Sequence, residues 1–334
     1  MVTQQDVAKK AGVSFITVSR VINGKGYVKK ATREKVLQTI KELNYYPNQI
    51  GRALHIKSVN TVGVVTPAPA NVGIHATDYY NLLMAGIEKS TIAHNFDLLL
   101  STYRNEDPDA DYLRLYFQRK VDGLILITPD LNNPQINDIQ AQNISCVVIG
   151  DRPVKNIISY VDSDNYSGMH RVAECLIKKG HRKIAFLKGE STSPNARERF
   201  NGFSDALREN GLKLPDDWVL DGDFTPESGS NALKRLLASG QLPTALICAN
   251  DLMALGALAE AKTAQIKIPE DLALTGFDGI PITAYTDPPL STVSQPLFEM
   301  GFTAAEMLFN KINDPEQPPE FMIFPVEFIQ RRST

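Results

Sequence analysis

Four polar residues stand at or near the ends of apolar runs: Arg199 in NARERFNGF, Asn250 after ALICA, Asp278 after LALTGF and Asp151 after ISCVVIG. A planar guanidinium, an amide and carboxylates can each grip adjacent hydroxyls in two-point fashion. Gln295, in LSTVSQP, adds an amide that either meets such a ligand or supports a chain crossover. Candidate aromatic walls are Tyr79, Tyr80, Tyr160 just before VDSDN, and Phe224 in GDFTPESG. Each polar group also has an ordinary structural use. Asn250 can cap the helix that follows it, Asp278 can cap or turn, and Arg199 can form a surface ion pair. Jointly they fit a cleft for a small polar ligand.

A different chemistry sits at the amino terminus. Ser14, Phe15, Ile16 and Thr17 project from the leading end of a short helix, with Arg20 one turn on. In a major groove, Ser14 and Thr17 can take phosphate or base contacts, Phe15 and Ile16 suit the thymine methyl, and Arg20 can pair with guanine O6 and N7. A plain helical pair with a polar face is the alternative, but it leaves an exposed Phe-Ile beside Arg without a purpose. Charge points the same way. Residues 1–60 hold eleven Lys and Arg against three Asp and Glu, whereas the whole chain of 334 residues has a formal net charge of -3. A basic head on an acidic body is drawn to phosphate through the head alone.

The elements that position these groups follow from periodicity. Residues 3–43 read as three short helices: a Thr3/Asp6 capping box opens the first, Gly12 ends it, Ser14 caps the second, and Thr32 opens the third, with Val36, Leu37, Ile40 and Leu43 inward. From residue 61, apolar strand-like runs at 61–66, 97–102, 121–127, 144–149, 183–188, 245–249 and 272–276 alternate with helical segments such as 81–94, 165–179, 197–210, 228–238 and 252–264. That alternation predicts parallel sheets with helices on both faces, and the length predicts two lobes. Ligands in such folds bind beyond the carboxyl ends of the strands. The fold class is therefore an all-α helix-turn-helix headpiece plus a two-lobed α/β domain. The headpiece spans 1–46, a hinge 47–59 and the body 60–334. The first lobe covers about 60–160 and 291–320, and the second about 161–290 and 321–334.

Several functions are excluded by what the chain lacks. It has no G-x-S-x-G elbow, H-E-x-x-H pair or P-loop lysine, and Gly24-Lys25-Gly26 neither follows a strand nor gains the third glycine of a dinucleotide site. It reads as a binding protein rather than an enzyme, without cofactor or metal. Cys146, Cys175 and Cys248 lie far apart in apolar runs and read as buried thiols. No leader or membrane-length apolar run is seen, so the chain is expected in the cytoplasm and not in a membrane.

The run D-V-A-K-K-A-G-V-S, then T-V-S-R-V-I-N, then T-R-E-K-V and N-Y-Y-P-N, closely resembles the headpiece of the lactose/galactose repressor (LacI/GalR) family, and the likeness extends over essentially the whole chain. The body then resembles the periplasmic-binding-protein type. The resemblance implies phosphate contacts from Thr3, Ser14, Thr17, Ser19 and Asn23 and base reading by Phe15, Ile16 and Arg20. Tyr27 and Asn48 complete the expected DNA-contacting set. It also implies a hinge helix at 48–57 that wedges Leu54 into the minor groove of bent DNA. In the body it assigns Arg199, Asn250 and Asp278 to effector binding, with Asp151, Tyr79, Tyr80, Tyr160, Phe224 and Gln295 around them. The expected partners are a near-palindromic double-stranded operator, a small-molecule effector and a second copy of the chain. The expected role is a repressor of a carbohydrate-utilisation operon released by a sugar or sugar derivative. A co-repressor mode, with a purine or another metabolite, is the alternative. The loop TPAPANVGIHATDYY is longer than family members usually carry after the first strand, so ligand specificity cannot be copied from a relative.

Overall fold

The computed structural model describes residues 2–24, 26–46, 58–67, 78–103, 110–153 and 157–334. Residues 47–57 of the expected hinge, with Asn48 and Leu54 among them, the side chain of Asn23, and most of the loop after the first strand lie outside the described residues. The chain divides into two units, Met1–Val59 and Asn60–Thr334.

In the first unit, α1 (Gln4–Ala11) starts on the capping box formed by Thr3 and Asp6 and stops at Gly12 in the left-handed region. The Ser14 side chain accepts from the Thr17 N–H to start α2 (Phe15–Asn23). The third helix, α3 (Lys30–Glu42), begins two residues before Thr32 and has no side-chain cap. Val7, Ala11, Val18, Val21 and Val36 form the small core. Leu37 is exposed rather than inward, because α3 turns Val36 and Thr39 to the core and leaves the position between them outside.

The second unit has two six-stranded sheets of like order. The first contains β1 (Thr61–Pro67), β2 (Asp97–Tyr103), β3 (Gly123–Ile127), β4 (Cys146–Ile149), β5 (Ser159–Ser163) and β11 (Phe321–Phe324), in the order β2-β1-β3-β4-β5-β11. The second contains β6 (Ile184–Leu187), β7 (Val219–Leu220), β8 (Ala245–Cys248), β9 (Ala273–Asp278), β10 (Ser291–Ser294) and β12 (Glu327–Ile329), in the order β7-β6-β8-β9-β10-β12. All neighbours pair in parallel except β10 and β12. Central strands such as Leu124–Ile127 and Leu246–Cys248 are buried throughout, as parallel strands covered on both faces must be.

Helices α4 (Asp78–Ala93) and α11 (Leu297–Asn313) pack on one face of the first sheet, and α5 (Arg114–Phe117) and α6 (Gln135–Ala141) belong to the other. The second sheet is flanked by α7 (Asn165–Lys178), α8 (Pro194–Glu209), α9 (Pro226–Ala238) and α10 (Asp251–Thr263). The chain changes lobe after Ser163, after Ser294 and after Phe324. Each change comes one short strand later than the sequence boundaries at 160, 290 and 320. The cause is local: β5, β10 and β11 carry serine, threonine, aspartate or exposed apolar side chains, so they lack the continuous apolar signature of the equally short central strands.

Cys146 and Cys248 are buried, and burial pushes both thiols up; Cys175 is half-buried instead, with its Sγ 3.7 Å from Gln330 Oε1. Among the described residues no helix is long and apolar enough to cross a membrane.

Candidate functional site

Two separate surfaces carry the candidate residues. On the first unit, Ser14 fixes the start of α2, and its hydroxyl lies 2.9 Å from that of Thr17. This cap turns Phe15 and Ile16 outward, where they remain 49% and 62% exposed. Large apolar side chains held open at a helix start, with Arg20 exposed one turn on, form a surface suited to base edges rather than to water. Tyr27 is 85% exposed, and the Thr3 hydroxyl donates to Asp6 at 2.7 Å while its oxygen can still accept. Ser19 is half-buried on the same helix.

The second surface lies where the strands of both lobes end. Arg199, on α8, is only 4% exposed, which excludes a surface ion pair. Its Nε donates to Asn165 Oδ1 at 2.8 Å, one terminal nitrogen donates to the Ala249 carbonyl at 2.7 Å and stands 3.6 Å from Asp278 Oδ1, and the guanidinium stacks 3.8 Å above the Phe277 ring. Asp278 ends β9 with φ 125°. Its Oδ1 accepts from Gln295 Nε2 at 2.8 Å, while the Gln295 carbonyl accepts the Ser163 hydroxyl at 2.6 Å. Gln295 therefore ties together two of the three lobe crossovers.

Asn250 caps α10: its Oδ1 accepts the Met253 N–H at 2.9 Å, and its Nδ2 donates to the Phe224 carbonyl at 3.1 Å. The capping use is thus real, and it also fixes Phe224. That residue has φ 65°, and its ring lies against Gly189, where even a Cβ would come within 2.0 Å of it. Thr128, just beyond β3, has φ 46° although it is β-branched. Strained backbone at Thr128, Phe224 and Asp278 costs on the order of 1–3 kcal/mol each and persists where surroundings enforce it, commonly at binding sites.

In the first lobe, Asp151 follows β4 and is 4% exposed, with no hydrogen-bond partner for its Oδ1 among the described residues. Next to it Arg152 donates to Asp162 Oδ2 at 2.8 Å and to the Ser163 carbonyl at 3.1 Å, and its other terminal nitrogen stands 3.0 Å from Glu198 Oε1 in the opposite lobe. Asn195 Nδ2, also from the opposite lobe, donates to the Gly150 carbonyl. The Tyr79 hydroxyl comes within 3.2 Å of the place a Cβ on Gly150 would occupy. Tyr80 packs edge-on against Tyr79 at 5.2 Å, and burial pushes its hydroxyl up.

Burial sets the electrostatics. It pushes Asp278 up to about 8, against the pull of Arg199, and raises Asp251 to about 6, although Asp251 accepts from Thr292 Oγ1 at 2.5 Å and from the Ile280 N–H at 2.9 Å. Asp151 lies well above the usual carboxylate range through burial, with Asp162 and Glu198 adding like charge. Tyr79 is held up mainly by burial and by the nearby Asp278.

The structure thus gathers Arg199, Asp278, Gln295, Asp151, Tyr79 and Tyr80 where the strand ends of the two lobes meet, with Asn250 and Phe224 joined on the second-lobe side. It does not bring Tyr160 there. That ring sits in the first-lobe core, 5.0 Å from Phe321, because Tyr160 lies near the start of β5 and alternation turns it away from the Val161 face. Sequence reading missed Arg152, Asp162, Asn165, Asn195 and Glu198. The signal was present in part: Asp162 and Asn165 lie in VDSDN, and Arg152 follows Asp151 directly.

Comparison with known proteins fits both surfaces. Residues 3–48 match the bacterial regulatory proteins of the lacI family, and residues 173–334 match the periplasmic binding protein-like domain. The HTH-type transcriptional repressor PurR of Histophilus somni is 32% identical over 335 residues, covering 100% of this chain and 99% of that protein. A Lac repressor dimer bound to operator and the anti-inducer ONPF superposes with a TM-score of 0.87 at 28% identity, covering 100% of this chain and 99% of that one. The transcriptional regulator CelR in complex with cellobiose gives 0.76 at 31% identity, covering 100% of both chains.

Proposed function

Because the chain belongs to the lacI family of bacterial regulatory proteins, we propose that it is a repressor that leaves its operator when a sugar or sugar derivative occupies the Arg199–Asp278 cleft. DNA binding and transcription regulation come with the family. The sugar and the direction of its effect are the proposal. One observation carries it: a guanidinium, carboxylates and an amide converge at the strand ends of both lobes and are linked through Gln295 to the crossovers about which the lobes would move. Such groups match paired hydroxyls, and a ligand touching both lobes changes their relative position.

The DNA-bound form is a homodimer, with each headpiece reading one half of a near-palindromic site, as two-fold protein symmetry requires. Thr3, Ser14, Thr17, Ser19 and Asn23 hold the backbone, Phe15, Ile16 and Arg20 read bases, Tyr27 and Asn48 add further DNA contacts, and Leu54 is the minor-groove wedge. Work in the cytoplasm follows from that role. Coupling of about 1–3 kcal/mol between cleft and headpiece would change operator affinity about 5–150-fold. A second reading has support in the likeness to proteins named PurR: a purine or another metabolite acts as co-repressor and tightens DNA binding.

The test is a thermal-shift screen with sugars and nucleobases, followed by operator binding with each hit. A sugar that stabilises the chain and weakens operator binding is expected. A purine that tightens it would replace the first reading with the second.

A further inference from the structure

Resting on the reading of the Arg199–Asp278 region as the effector site, we infer that Asp251 is its positioning residue. Together with Thr292 it fixes the turn after β9 and so aims Asp278, while touching no ligand itself.

Asp251 opens α10 directly after Asn250 and is fully buried. Its Oδ1 accepts the Thr292 hydroxyl at 2.5 Å, and its Oδ2 accepts the Ile280 N–H at 2.9 Å. The same Thr292 oxygen accepts the Gly279 N–H at 3.2 Å. Carboxyl and hydroxyl thus hold two successive N–H groups of the turn that leaves Asp278. That turn needs holding, because Asp278 and Gly279 have φ of 125° and 74°, and a residue other than glycine takes such a value only under strain. The Ile280 carbonyl is fixed as well: it accepts the Thr283 hydroxyl at 2.6 Å, and Arg331 donates to that hydroxyl at 3.0 Å. Gly276 in β9 leaves room for the carboxyl, since a Cβ there would stand 2.1 Å from Asp251 Oδ1. Burial pushes Asp251 up to about 6, with Thr292, the turn N–H groups and Arg331 pulling against it, so at pH 7.5 it is ionised and accepts both bonds. With no exposure and both oxygens engaged, Asp251 can act on a ligand only through its neighbours, Asn250 in the chain and Asp278 across the turn.

The test compares Thr292→Val, which keeps the shape and removes the hydroxyl, with Thr292→Ser, which keeps the hydroxyl. Two readouts are taken on the intact chain at pH 7.5. One is titration calorimetry with ribose, cellobiose and guanine as probes, where the fitted stoichiometry counts only folded molecules. The other needs no ligand: hydrogen–deuterium exchange of the peptide spanning residues 277–285. Thr292→Val leaves Asp251 Oδ1 and the Gly279 N–H without their partner, so it is expected to weaken the probe that binds on the order of tenfold per folded molecule and to speed exchange in that peptide by a similar factor. First-lobe peptides should keep the parent rate, and Thr292→Ser should restore both readouts to within about threefold. Parent affinity in Thr292→Val overturns the inference and leaves the effector reading standing, since a purely structural bond would lower the folded fraction and not the affinity. A loss that serine does not restore overturns the assignment to the hydroxyl. Should none of the three probes bind the unmodified chain, the effector reading fails for them, and exchange decides alone: a parent rate in Thr292→Val overturns the positioning pair, and a faster one upholds it. If Thr292→Val fails to fold, Asp251→Asn replaces it, because an amide offers one acceptor where two donors need one each; the same losses are expected, and parent values overturn the inference.

Discussion

Gln295 donates to Asp278 Oδ1 at 2.8 Å and accepts from Ser163 at 2.6 Å, so one buried amide joins the strand end that carries a candidate ligand contact to a crossover between lobes. Removing it leaves two buried polar groups unsatisfied. Gln295→Leu should therefore destabilise the second unit by about 1–3 kcal/mol per orphaned group, read from urea unfolding. Gln295→Glu places a carboxyl beside Asp278 and should be at least as harmful at neutral pH. Unchanged unfolding midpoints for both would show that the bridge does not matter.

Asp278→Asn keeps the shape and can still accept from Gln295, but it removes the ionisable carboxyl beside Arg199. We expect loss of the ligand response in operator binding, with affinity in the absence of ligand within about twofold of the parent, because the headpiece is untouched. A normal response would remove Asp278 from the site.

Burial raises Asp278 to about 8, Asp251 to about 6 and Asp151 well above the usual carboxylate range. A carboxyl whose folded value exceeds its unfolded value binds its proton more tightly when folded. Its contribution is therefore fully present below the unfolded value, near 3.8, and lost as pH rises through the folded one. This contribution to ligand-free stability should decline from about pH 4 to about pH 8. Asp278→Asn should flatten that decline, as judged by urea midpoints across the range. An equally steep decline in the variant would contradict the assignment.

On the headpiece, Phe15 and Ile16 stand exposed at the start of α2 and Arg20 one turn later. Arg20→Ala should cost about 1–3 kcal/mol of specific binding and relax preference at one base pair. Leu54→Ala should weaken specific binding much more than non-specific binding, since the wedge acts only on bent operator. Binding selections on randomised duplexes check both, and equal losses on specific and random DNA would reject either role.

How much of this was legible depended on whether the signal was local. The caps at Thr3 and Ser14, the stop at Gly12 and the central buried strands are written in short stretches of sequence, and so is Arg199. Leu37 differs because the inward stripe of α3 runs through Val36, Thr39, Ile40 and Leu43, and Leu37 falls outside it. The lobe boundaries shifted because β5, β10 and β11 carry serine, threonine or exposed apolar residues instead of a continuous apolar run. The pairing of Arg152 with Glu198 and the orphan oxygen of Asp151 depend on residues 46 or more positions apart in order, which two lobes bring together only after folding. Tyr160 looked like a wall residue from its neighbours, but its place within the strand turned it inward.

The central claim is that the basic headpiece grips a specific duplex and that the cleft sets the strength of the grip. Fluorescence anisotropy of a selected duplex, titrated across salt concentrations with and without the tightest ligand from the screen, tests it most directly. The account predicts preference over random competitor, a steep fall of affinity with salt from phosphate contacts, and a ligand-induced change of about 5–150-fold. Equal binding to selected and random duplexes, indifferent to every ligand that stabilises the chain, would contradict it.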